Sequence, residues 1–264
     1  MRDFLQHVLQ KLGLRVISTE NYSSLLFAKR VQKLFLILNS LPSVDFKESY
    51  YYLENSKAQE LQDLFVLALL DFKKNGFFVE FGAVDGIYLS NTHLLEKSFG
   101  WRGILSEPMR TMKELIEFNR SCHVNSNCIW SVSGGFISFS ETKNPILSTA
   151  TSLIGSDAHK HLRKIESSYN VETLSLIDLL DYFDSPKIID YLSVDTEGSE
   201  FEILNSFDFK KYSFQIITVE HNFTSDREKI YDLLQRNGYI RVLDNLSYVD
   251  DWYISKALYQ QKFT

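Results

Sequence analysis

From Phe77 onward, the chain alternates short apolar runs with segments of helical periodicity, and this alternation restricts the fold more than any other feature. The apolar runs, rich in Val, Ile and Phe, are FFVEFGA, GILSEP, HVNSNCIW, DYLSVDTEG and FQIITVEHN. Between them lie the helical patterns NTHLLEKSF, RTMKELIEFNR, SLIDLLDYF and SDREKIYDLLQRNGY. Strands that alternate with helices form a mainly parallel sheet flanked by helices. The sequence therefore predicts an α/β fold.

Three further segments complete this pattern. The run GGFISFSE predicts an added strand that follows a turn at Gly134-Gly135. The final IRVLDNLSYVDDWYI predicts an antiparallel strand pair at the sheet edge, with its turn at Asp244-Asn245. Residues 142–164 lack periodicity over a length that exceeds the usual limit of about 12–15 residues for a plain loop. We therefore expect this segment to be a lid or a substrate-binding loop.

The segment before Phe77 has helical periodicity instead. Three helices are predicted, and a break at Asn39 and Pro42 ends the second, while Asn75-Gly76 ends the third. Their apolar positions are Leu5, Val8, Leu9 and Leu12; then Leu25, Leu26, Leu34, Phe35 and Leu38; then Leu61, Leu64, Phe65, Ala68 and Leu69. A leader of this length cannot bury a sizeable core alone, so we expect it to pack on the domain or on a second subunit.

Composition excludes several classes of protein. The chain has 264 residues and a formal net charge of -6, which argues against binding nucleic acid through bulk positive charge. Cys122 and Cys128 are too few for a disulfide framework and lack the spacing of a zinc site. No apolar run approaches the roughly 20 residues that span a bilayer, and the N-terminal residues lack the features of a signal peptide. We therefore expect a cytoplasmic protein.

The strongest functional motif is FFVEFGAVDG, a buried strand that runs into a tight turn containing Gly82 and Gly86. A helix is predicted to begin near Ser90-Asn91-Thr92, where free N–H groups can meet a ligand. Open α/β sheets bind ligands beyond the carboxyl ends of their strands. The glycine pair of a dinucleotide fingerprint is absent, which disfavours a nicotinamide-dependent reductase. Acidic side chains on both sides of the turn, Glu80 and Asp85, suit a cationic ligand.

The second motif, GILSEP, places Glu107 and Pro108 after the next strand, roughly twenty residues beyond the glycine turn. A carboxylate at this position can accept hydrogen bonds from both ribose hydroxyls of a nucleoside. Considered alone, Glu107 would be interpreted as a solvated loop acid. Its register with the glycine turn favours the nucleoside interpretation.

Acidic residues also follow two later strands. In DYLSVDTEGSE, the side chains of Asp195, Glu197 and Glu200 crowd the carboxyl end of the strand, and in VEHN, Glu220 and His221 leave the neighbouring strand at the same edge. Like charges at this density raise one another's pKa unless a sulfonium, a metal ion or a basic side chain lies among them. A histidine beside carboxylates can act as a base near neutral pH, although a single such histidine is more often structural.

These motifs, in this order and spacing, resemble the FkbM-type methyltransferases that use S-adenosylmethionine. The resemblance rests on VEFGAVDGIYLSNTHLLEKSFGWRGILSEP, IDYLSVDTEGSEFEIL and ITVEHN, and it extends roughly from residue 56 to residue 245. It implies a Rossmann-like class I methyltransferase domain with a mainly parallel seven-stranded sheet, over residues 56–264, behind a helical N-terminal extension at residues 1–55. It also implies O-methylation of a sugar or a similar polar hydroxyl compound, as in polysaccharide biosynthesis.

The resemblance assigns roles to individual residues. Those expected to bind the cofactor S-adenosylmethionine are Glu80, Gly82, Ala83, Asp85, Gly86, Asn91, Glu107, Pro108, Asn127, Cys128 and Asp195. Within this set, Glu107 is expected to hold the ribose, and Asn127-Cys128 are expected to flank the adenine. The acceptor side is expected to include Glu197, Glu220 and His221. His221 and Asp195 are the two candidates for the catalytic base.

Some interpretations remain open. A divalent metal ion held by Asp195, Glu197, Glu220 and His221 is chemically sensible, although acid clusters without a metal are also common at active sites. The basic residues Lys160, His161, Arg163 and Lys164 could recognise a phosphate on a nucleotide- or lipid-linked sugar, or simply form a solvated face. Residues Tyr50, Tyr51 and Tyr52 could stack on a sugar ring or pack against the sheet.

Two classes of function follow from the sequence. The first is an O-methyltransferase acting on a small molecule or a glycan, with no nucleic-acid partner, no transmembrane segment and possible homo-oligomerisation through the N-terminal helices. The second is a non-catalytic or regulatory protein that binds S-adenosylmethionine with the same fold. Binding of the cofactor without methylation of any hydroxyl compound would favour the second.

Overall fold

The computed structural model describes residues 18–42, 45–155 and 161–264. The predicted helix around Leu5, Val8, Leu9 and Leu12 lies outside these residues, as does Lys160. The helices are α1 (Thr19–Asn39), α2 (Phe46–Tyr51), α3 (Gln62–Leu69), α4 (His93–Phe99), α5 (Lys113–Asn119), α6 (Leu176–Tyr182), α7 (Glu200–Asn205), α8 (Asp226–Arg236) and α9 (Lys256–Phe263). The strands are β1 (Phe77–Phe81), β2 (Arg102–Ser106), β3 (His123–Asn125), β4 (Cys128–Trp130), β5 (Phe136–Thr142), β6 (Thr149–Ala150), β7 (Ile165–Ser175), β8 (Ile188–Val194), β9 (Ser213–Glu220), β10 (Tyr239–Val242) and β11 (Asp250–Ser255).

The main sheet has seven strands in the order β10-β11-β9-β8-β1-β2-β3. Its pairs are parallel except for the two pairs that β11 makes with β9 and β10. The strand order changes direction beside β1, and this is the position where open α/β sheets bind ligands. The predicted fold, a class I methyltransferase with a mainly parallel seven-stranded sheet, is therefore confirmed.

Both faces of the main sheet are buried, because neighbouring residues of a strand point to opposite faces. In β1, Phe78 belongs to one apolar cluster, with Phe65 and Trp252, whereas Val79 belongs to the opposite cluster, with Leu192. All of these side chains are fully buried. The core therefore holds the carboxyl ends of β1, β2, β8 and β9 in fixed register.

A second sheet, with the order β4-β7-β5-β6, was not expected from the sequence. The run HVNSNCIW was predicted as one strand, but it divides into β3, which pairs with β2, and β4, which pairs with β7. The predicted strand GGFISFSE is β5, and it joins this second sheet through its pairing with β7. Residues 142–164 connect β5 to β7, and two short 3-10 turns, Pro145–Leu147 and Thr151–Leu153, lie on either side of β6.

The segments before β1 differ from the prediction in detail. Helix α1 ends at Asn39 as predicted, but of the five apolar positions assigned to it, only Leu34 and Leu38 are buried. Helix α3 is shorter than predicted, because Leu61 has a left-handed backbone (φ 67°) and Ala58 pairs with Leu89 as an extended bridge. No helix in the described part of the chain is long and apolar enough to cross a membrane.

Candidate functional site

A cavity of about 350 Å³ lies at the edge where the parallel strands of the main sheet end. Pairing sets Phe81 of β1 level with Ser106 of β2 and Val194 of β8, so the residues that follow these strands meet. The predicted residues that line the cavity are Glu80, Gly82, Asn91, Glu107, Pro108, Cys128, Asp195, Glu197 and Glu220. Those that do not line it are Ala83, Asp85, Gly86, Asn127 and His221.

Position 82 must be a glycine because the backbone that follows β8 approaches it closely, and not because of a ligand alone. Its φ is +77°, and a Cβ atom at this position would lie 1.9 Å from the backbone oxygen of Asp195. Any larger residue would push β1 away from the loop that follows β8. The glycine therefore brings the two strand ends together at the cavity. Beside it, Ala83 is buried and its carbonyl accepts a hydrogen bond from Gly86 N (2.7 Å), which closes the turn.

Glu80 organises the loop before α4. Its carboxylate accepts hydrogen bonds from Ser90 Oγ (2.9 Å), Asn91 N (2.6 Å) and Thr92 Oγ1 (2.5 Å). The fully buried guanidinium of Arg120 lies 3.7 Å from it and donates to Ser90 Oγ and Thr92 Oγ1. A basic side chain therefore compensates this buried charge. Sequence analysis missed Arg120, because a single arginine after a helix carries no signal of burial.

Asn91 lines the cavity, and only one of its two polar side-chain atoms has a hydrogen-bond partner among the described residues. Its Nδ2 donates to Ser193 Oγ (2.9 Å), whereas its Oδ1 is buried and has no hydrogen-bond partner among the described residues. An unpaired buried acceptor is costly unless a ligand or water supplies a donor. Asn91 is therefore a candidate to accept a hydrogen bond from an ammonium group.

Glu107 lies at the end of β2 with 4% of its surface exposed. Its two carboxylate oxygens accept hydrogen bonds from Val84 N and Met109 N, each at 3.0 Å. Burial raises the pKa of Glu107 to about 7; these two bonds oppose the shift, and the charge of Glu141 adds to it. Each oxygen keeps a free lone pair, so the carboxylate can accept two further hydrogen bonds.

An apolar slot adjoins Glu107. Met109, Cys128 and Phe139 form a buried cluster, and Val84 packs against it. Cys128 lines the cavity, whereas Asn127 is held outside it, because its backbone carbonyl accepts hydrogen bonds from Ser106 Oγ (3.1 Å) and Asn125 Nδ2 (3.1 Å). A flat aromatic ligand fits between such side chains. Met109 and Phe139 were not predicted as site residues; the position of Met109 two residues after Glu107 was the available signal.

Three carboxylates meet on the other side of the cavity. Asp195, Glu197 and Glu220 each place one oxygen within 4.8 Å of the other two. Burial raises the pKa of Asp195 well above its usual value, and the negative charges of Glu197, Asp250 and Glu200 raise it further. Burial and the charge of Asp195 raise the pKa of Glu220 in the same direction. The two carboxyl groups therefore titrate as a coupled pair, in which each negative charge disfavours ionisation of the other group.

Glu197 also has a structural role that the sequence did not reveal. Its carboxylate pairs with the buried guanidinium of Arg163 (2.7 Å), and Arg163 also donates to the carbonyls of Leu147 (3.0 Å) and Ile154 (3.2 Å). The Thr149 hydroxyl donates to the backbone oxygen of Glu197 (3.0 Å). These contacts hold the described parts of the segment that joins β5 to β7, residues 142–155 and 161–164, against the cavity. Arg163 thus faces the protein, whereas His161 and Lys164 are exposed.

Asp250 and Gln62 form a second set of residues next to Glu220, on the side of β11. Asp250 of β11 is directly opposite Glu220 of β9, and its Oδ2 accepts a hydrogen bond from Gln62 Nε2 (2.5 Å). Burial raises the pKa of Asp250 to about 6. Gln59, three residues earlier than Gln62, lines the cavity. The segment that follows the leader therefore forms part of the site, which the sequence did not indicate.

His221 lies outside the cavity, which weighs against its predicted role as the base. Its side chain is buried beside Asp251, with Nε2 3.8 Å from Asp251 Oδ1, and its Nδ1 accepts a hydrogen bond from Phe223 N (3.0 Å). Burial lowers the pKa of His221. Asp251 is itself paired with Arg227 and Arg241. The histidine therefore supports the loop after β9.

Asp85 and Gly86 shape the glycine turn. Asp85 Oδ1 accepts hydrogen bonds from Ile87 N (2.9 Å) and Tyr88 N (2.7 Å), a turn that needs no ligand. A Cβ atom on Gly86 would lie 2.8 Å from the side chain of Arg120. Asp85 thus bonds within the turn and Gly86 packs against Arg120, and neither lines the cavity, so their cofactor contacts stay predictions.

A metal ion fits part of the predicted ligand set. Asp195, Glu197 and Glu220 could supply hard oxygen ligands to Mg²⁺ or Ca²⁺, whereas His221 is directed elsewhere. The pairing of Glu197 with Arg163 would compete with such an ion. Tyr50, Tyr51 and Tyr52 lie at α2 and do not line the cavity.

Comparison with known proteins adds the family. The profile of the methyltransferase FkbM domain matches residues 80–241, more than half of the chain. A precorrin-6y C5,15-methyltransferase from Geobacter metallireducens is 12% identical, with a TM-score of 0.35, over 71% of this chain and 78% of that one. A proposed RNA methyltransferase from Pyrococcus horikoshii is 10% identical, with a TM-score of 0.36, over 74% of this chain and 81% of that one.

Neither structural likeness bears on the substrate, because both TM-scores are below 0.5. No match was found among curated proteins. The strand order, the site at the carboxyl ends of β1 and β2 and the family profile lead to the same result. This chain belongs to the FkbM methyltransferase family.

Proposed function

We propose that this protein is an S-adenosylmethionine-dependent O-methyltransferase that acts on a hydroxyl of a sugar, a glycan or a similar polar small molecule. The observation that carries the proposal is the buried carboxylate of Glu107, which has two free lone pairs beside an apolar slot and one strand away from Gly82. Two vicinal hydroxyls next to a flat base are the groups that this arrangement matches.

The remaining lining residues fit the other parts of the cofactor. Met109, Cys128 and Phe139 would hold the adenine ring, and Glu107 would hold the ribose. Asn91 Oδ1 would accept a hydrogen bond from the ammonium group at the methionine end. When bound, S-adenosylmethionine supplies an electrophilic methyl group on a positively charged sulfur. The carboxylates that line this cavity favour such a cation.

The acceptor side needs only alignment and a base. Asp195 and Glu220 line the cavity side by side, and the raised pKa of each makes its ionised form a stronger base. The ionised form would take the hydroxyl proton of the acceptor as the new C–O bond forms and the bond between the methyl carbon and sulfur breaks. A positioned base contributes about 10²–10⁴-fold to the rate. Because His221 does not line the cavity, Glu220 replaces it as the second candidate base.

Calorimetry with S-adenosylhomocysteine tests the cofactor site. Glu107→Ala should weaken binding by about 10–100-fold, because it removes two hydrogen bonds to a charged group. Glu172→Ala, at an exposed acid of β7 outside the cavity, is the matched control and should bind like the wild type. If the wild type fails to bind, or if Glu107→Ala binds equally well, the assignment is wrong.

Turnover tests the base. Asp195→Asn and Glu220→Gln should each lower kcat by at least about 10²-fold and leave S-adenosylhomocysteine affinity within threefold. His221→Asn should retain more activity than either. A reversed order would return the role of base to His221. Cofactor binding without methylation of any hydroxyl compound would instead support a non-catalytic protein.

A further inference from the structure

Two large aromatic side chains stand exposed at the mouth of the cavity. Phe223 and Tyr248 have 64% and 62% of their surfaces exposed, and their rings meet edge to face with centroids 5.9 Å apart. Tyr248 lines the cavity directly, as does Asn222, the residue before Phe223. The aromatic pair therefore continues the cavity wall outward, on the side of Glu220.

The backbone that carries this pair is fixed in an unusual conformation. Asn222, Phe223 and Tyr248 all have left-handed φ values, of 42°, 55° and 59°. Such a conformation costs free energy for a residue with a side chain and persists only where its surroundings hold it. Here the carbonyl of Val249 accepts hydrogen bonds from His221 N (2.9 Å) and Asn222 N (3.3 Å), which join the two segments.

His221 completes the support. Its ring contacts the ring of Phe223 with centroids 5.1 Å apart, and its Nδ1 accepts the Phe223 N–H. The imidazole thus fixes Phe223 through both its backbone and its ring. This arrangement orients two aromatic rings toward solvent that would otherwise be expected to pack inward.

The side chains at the base of this wall determine which chemical groups a ligand must carry. Glu220 and Asp195 offer hydrogen-bond acceptors, and Asn222 offers an amide. Among the lining residues that the structure describes, none is a lysine, an arginine or a histidine. A ligand that fits has an apolar ring face for the aromatic pair, several hydroxyl donors for the carboxylates and no negative charge.

We propose that Phe223 and Tyr248 form an acceptor subsite for an uncharged pyranose ring. The C–H face of the sugar lies on the aromatic pair, and its hydroxyls point toward Glu220 and Asp195. This assignment rests on the proposed methyl transfer to a hydroxyl and specifies the class of acceptor. It also replaces the predicted sugar contact of Tyr50, Tyr51 and Tyr52.

Saturation-transfer NMR tests the subsite. The full chain, saturated with S-adenosylhomocysteine, is mixed in turn with methyl glycosides of glucose, mannose, galactose, rhamnose and fucose, and with glucose 1-phosphate and catechol. At least one neutral glycoside should receive saturation at its ring C–H protons. Phe223→Ala and Tyr248→Ala should each weaken that signal by about fivefold or more. Glucose 1-phosphate should give a weaker signal than the neutral glycosides.

The matched control is Tyr182→Ala, an aromatic residue of α6 that is 79% exposed and does not line the cavity. It should leave the signal unchanged. All variants should keep the wild-type melting temperature within about 3 °C and bind S-adenosylhomocysteine within twofold.

Several results would overturn the subsite. They are cofactor-product binding without contact to any glycoside, a response confined to catechol, and an undiminished glycoside signal in both Phe223→Ala and Tyr248→Ala. Failure of the wild type to bind S-adenosylhomocysteine would instead reject the proposed methyltransferase function. A variant that unfolds is replaced by Phe223→Leu or Tyr248→Leu, which keep an apolar side chain but lack the aromatic ring, and the same loss of signal is expected.

Discussion

Acidic side chains at the cavity fall into two groups according to their partners. Glu80 lies beside Arg120, and Glu197 pairs with Arg163, so their charges are compensated by the protein itself. In the described part of the chain, neither an arginine nor a lysine forms an ion pair with Glu107, Asp195 or Glu220. The motifs predicted which acids would meet, but not which would already be paired. A buried arginine from a distant segment leaves no local pattern in the sequence.

The protonation of Glu107 leads to a prediction about cofactor binding. Burial raises its pKa to about 7 in the free protein, whereas ribose hydroxyls would donate to its ionised form. Binding below pH 7 must therefore release a proton, and the affinity for S-adenosylhomocysteine should fall by up to tenfold for each pH unit below about 7. Calorimetry at pH 6, 7 and 8, in two buffers of different ionisation enthalpy, measures both the affinity and the proton release.

Glu107→Gln is the variant that isolates this effect. It should bind more weakly at pH 8 and lose most of the dependence on pH, whereas Glu172→Gln should keep the wild-type slope. The raised pKa of Glu107 also makes the free energy of unfolding depend on pH. Because the folded pKa exceeds that of a free glutamate, this group lowers the free energy of unfolding as pH rises from about 4.5 to about 7. A wild-type affinity that is constant from pH 6 to pH 8 would contradict the prediction.

Helices and strands with strong periodicity were predicted well, whereas strands whose place depends on pairing with other strands were predicted poorly. The strands β1, β2, β8 and β9 and helices α4, α5, α6 and α8 follow their patterns, because local burial sets them. The division of HVNSNCIW between two sheets depends instead on which strands lie beside β3 and β4, namely β2 and β7. Periodicity within one segment cannot supply that information.

The segment between β5 and β7 gives a prediction about the Arg163–Glu197 pair. Arg163 of this pair donates to the carbonyl of Leu147, which lines the cavity together with its neighbours Asn144 and Ser148. Removing one partner of a buried ion pair costs about 3–5 kcal/mol, so Arg163→Met should lower the melting temperature and speed hydrogen exchange in residues 144–153. Thermal unfolding and exchange mass spectrometry measure the two effects.

The double variant Arg163→Met with Glu197→Gln provides the control. It removes both charges, so it should recover a large part of the stability lost in Arg163→Met. If the loss of stability in the double variant equals the sum of the losses in Arg163→Met and Glu197→Gln, the interaction between the two residues contributes little. Exchange in the core strand β8 should follow the melting temperature of each variant, because it requires global unfolding, whereas residues 144–153 should show an additional local increase in Arg163→Met.

At the scale of the whole molecule, the leader helix α1 is joined to the site. Arg30 donates to the carbonyls of Ser56 (3.1 Å) and Ala58 (3.2 Å), and Ala58 pairs with Leu89 in the loop that leads to Asn91. The predicted packing of the leader against the domain is present over the described residues. The boundary at residue 55 and the predicted homo-oligomer stay predictions, as do the cytoplasmic location and the role in polysaccharide biosynthesis.

This connection predicts a remote effect. Arg30→Met should loosen residues 56–62 and the loop around Leu89, so hydrogen exchange should increase in both segments and S-adenosylhomocysteine affinity should fall by about threefold to tenfold. Lys29→Met, on the exposed face of α1, is the control and should behave like the wild type. Faster exchange in residues 56–62 with an unchanged loop at Leu89 would mean that the leader does not act on the cofactor side.

Some residues that line the cavity lie outside the part of the chain that the family profile matches. The profile covers residues 80–241, yet Gln59, Tyr248 and Val249 also line the cavity. The residues that the proposed function assigns to the cofactor lie inside the matched region, whereas these three lining residues come from segments on either side of it. A match to the profile therefore describes only part of the cavity wall, and a chain can share the profile while differing in the segments that complete the wall.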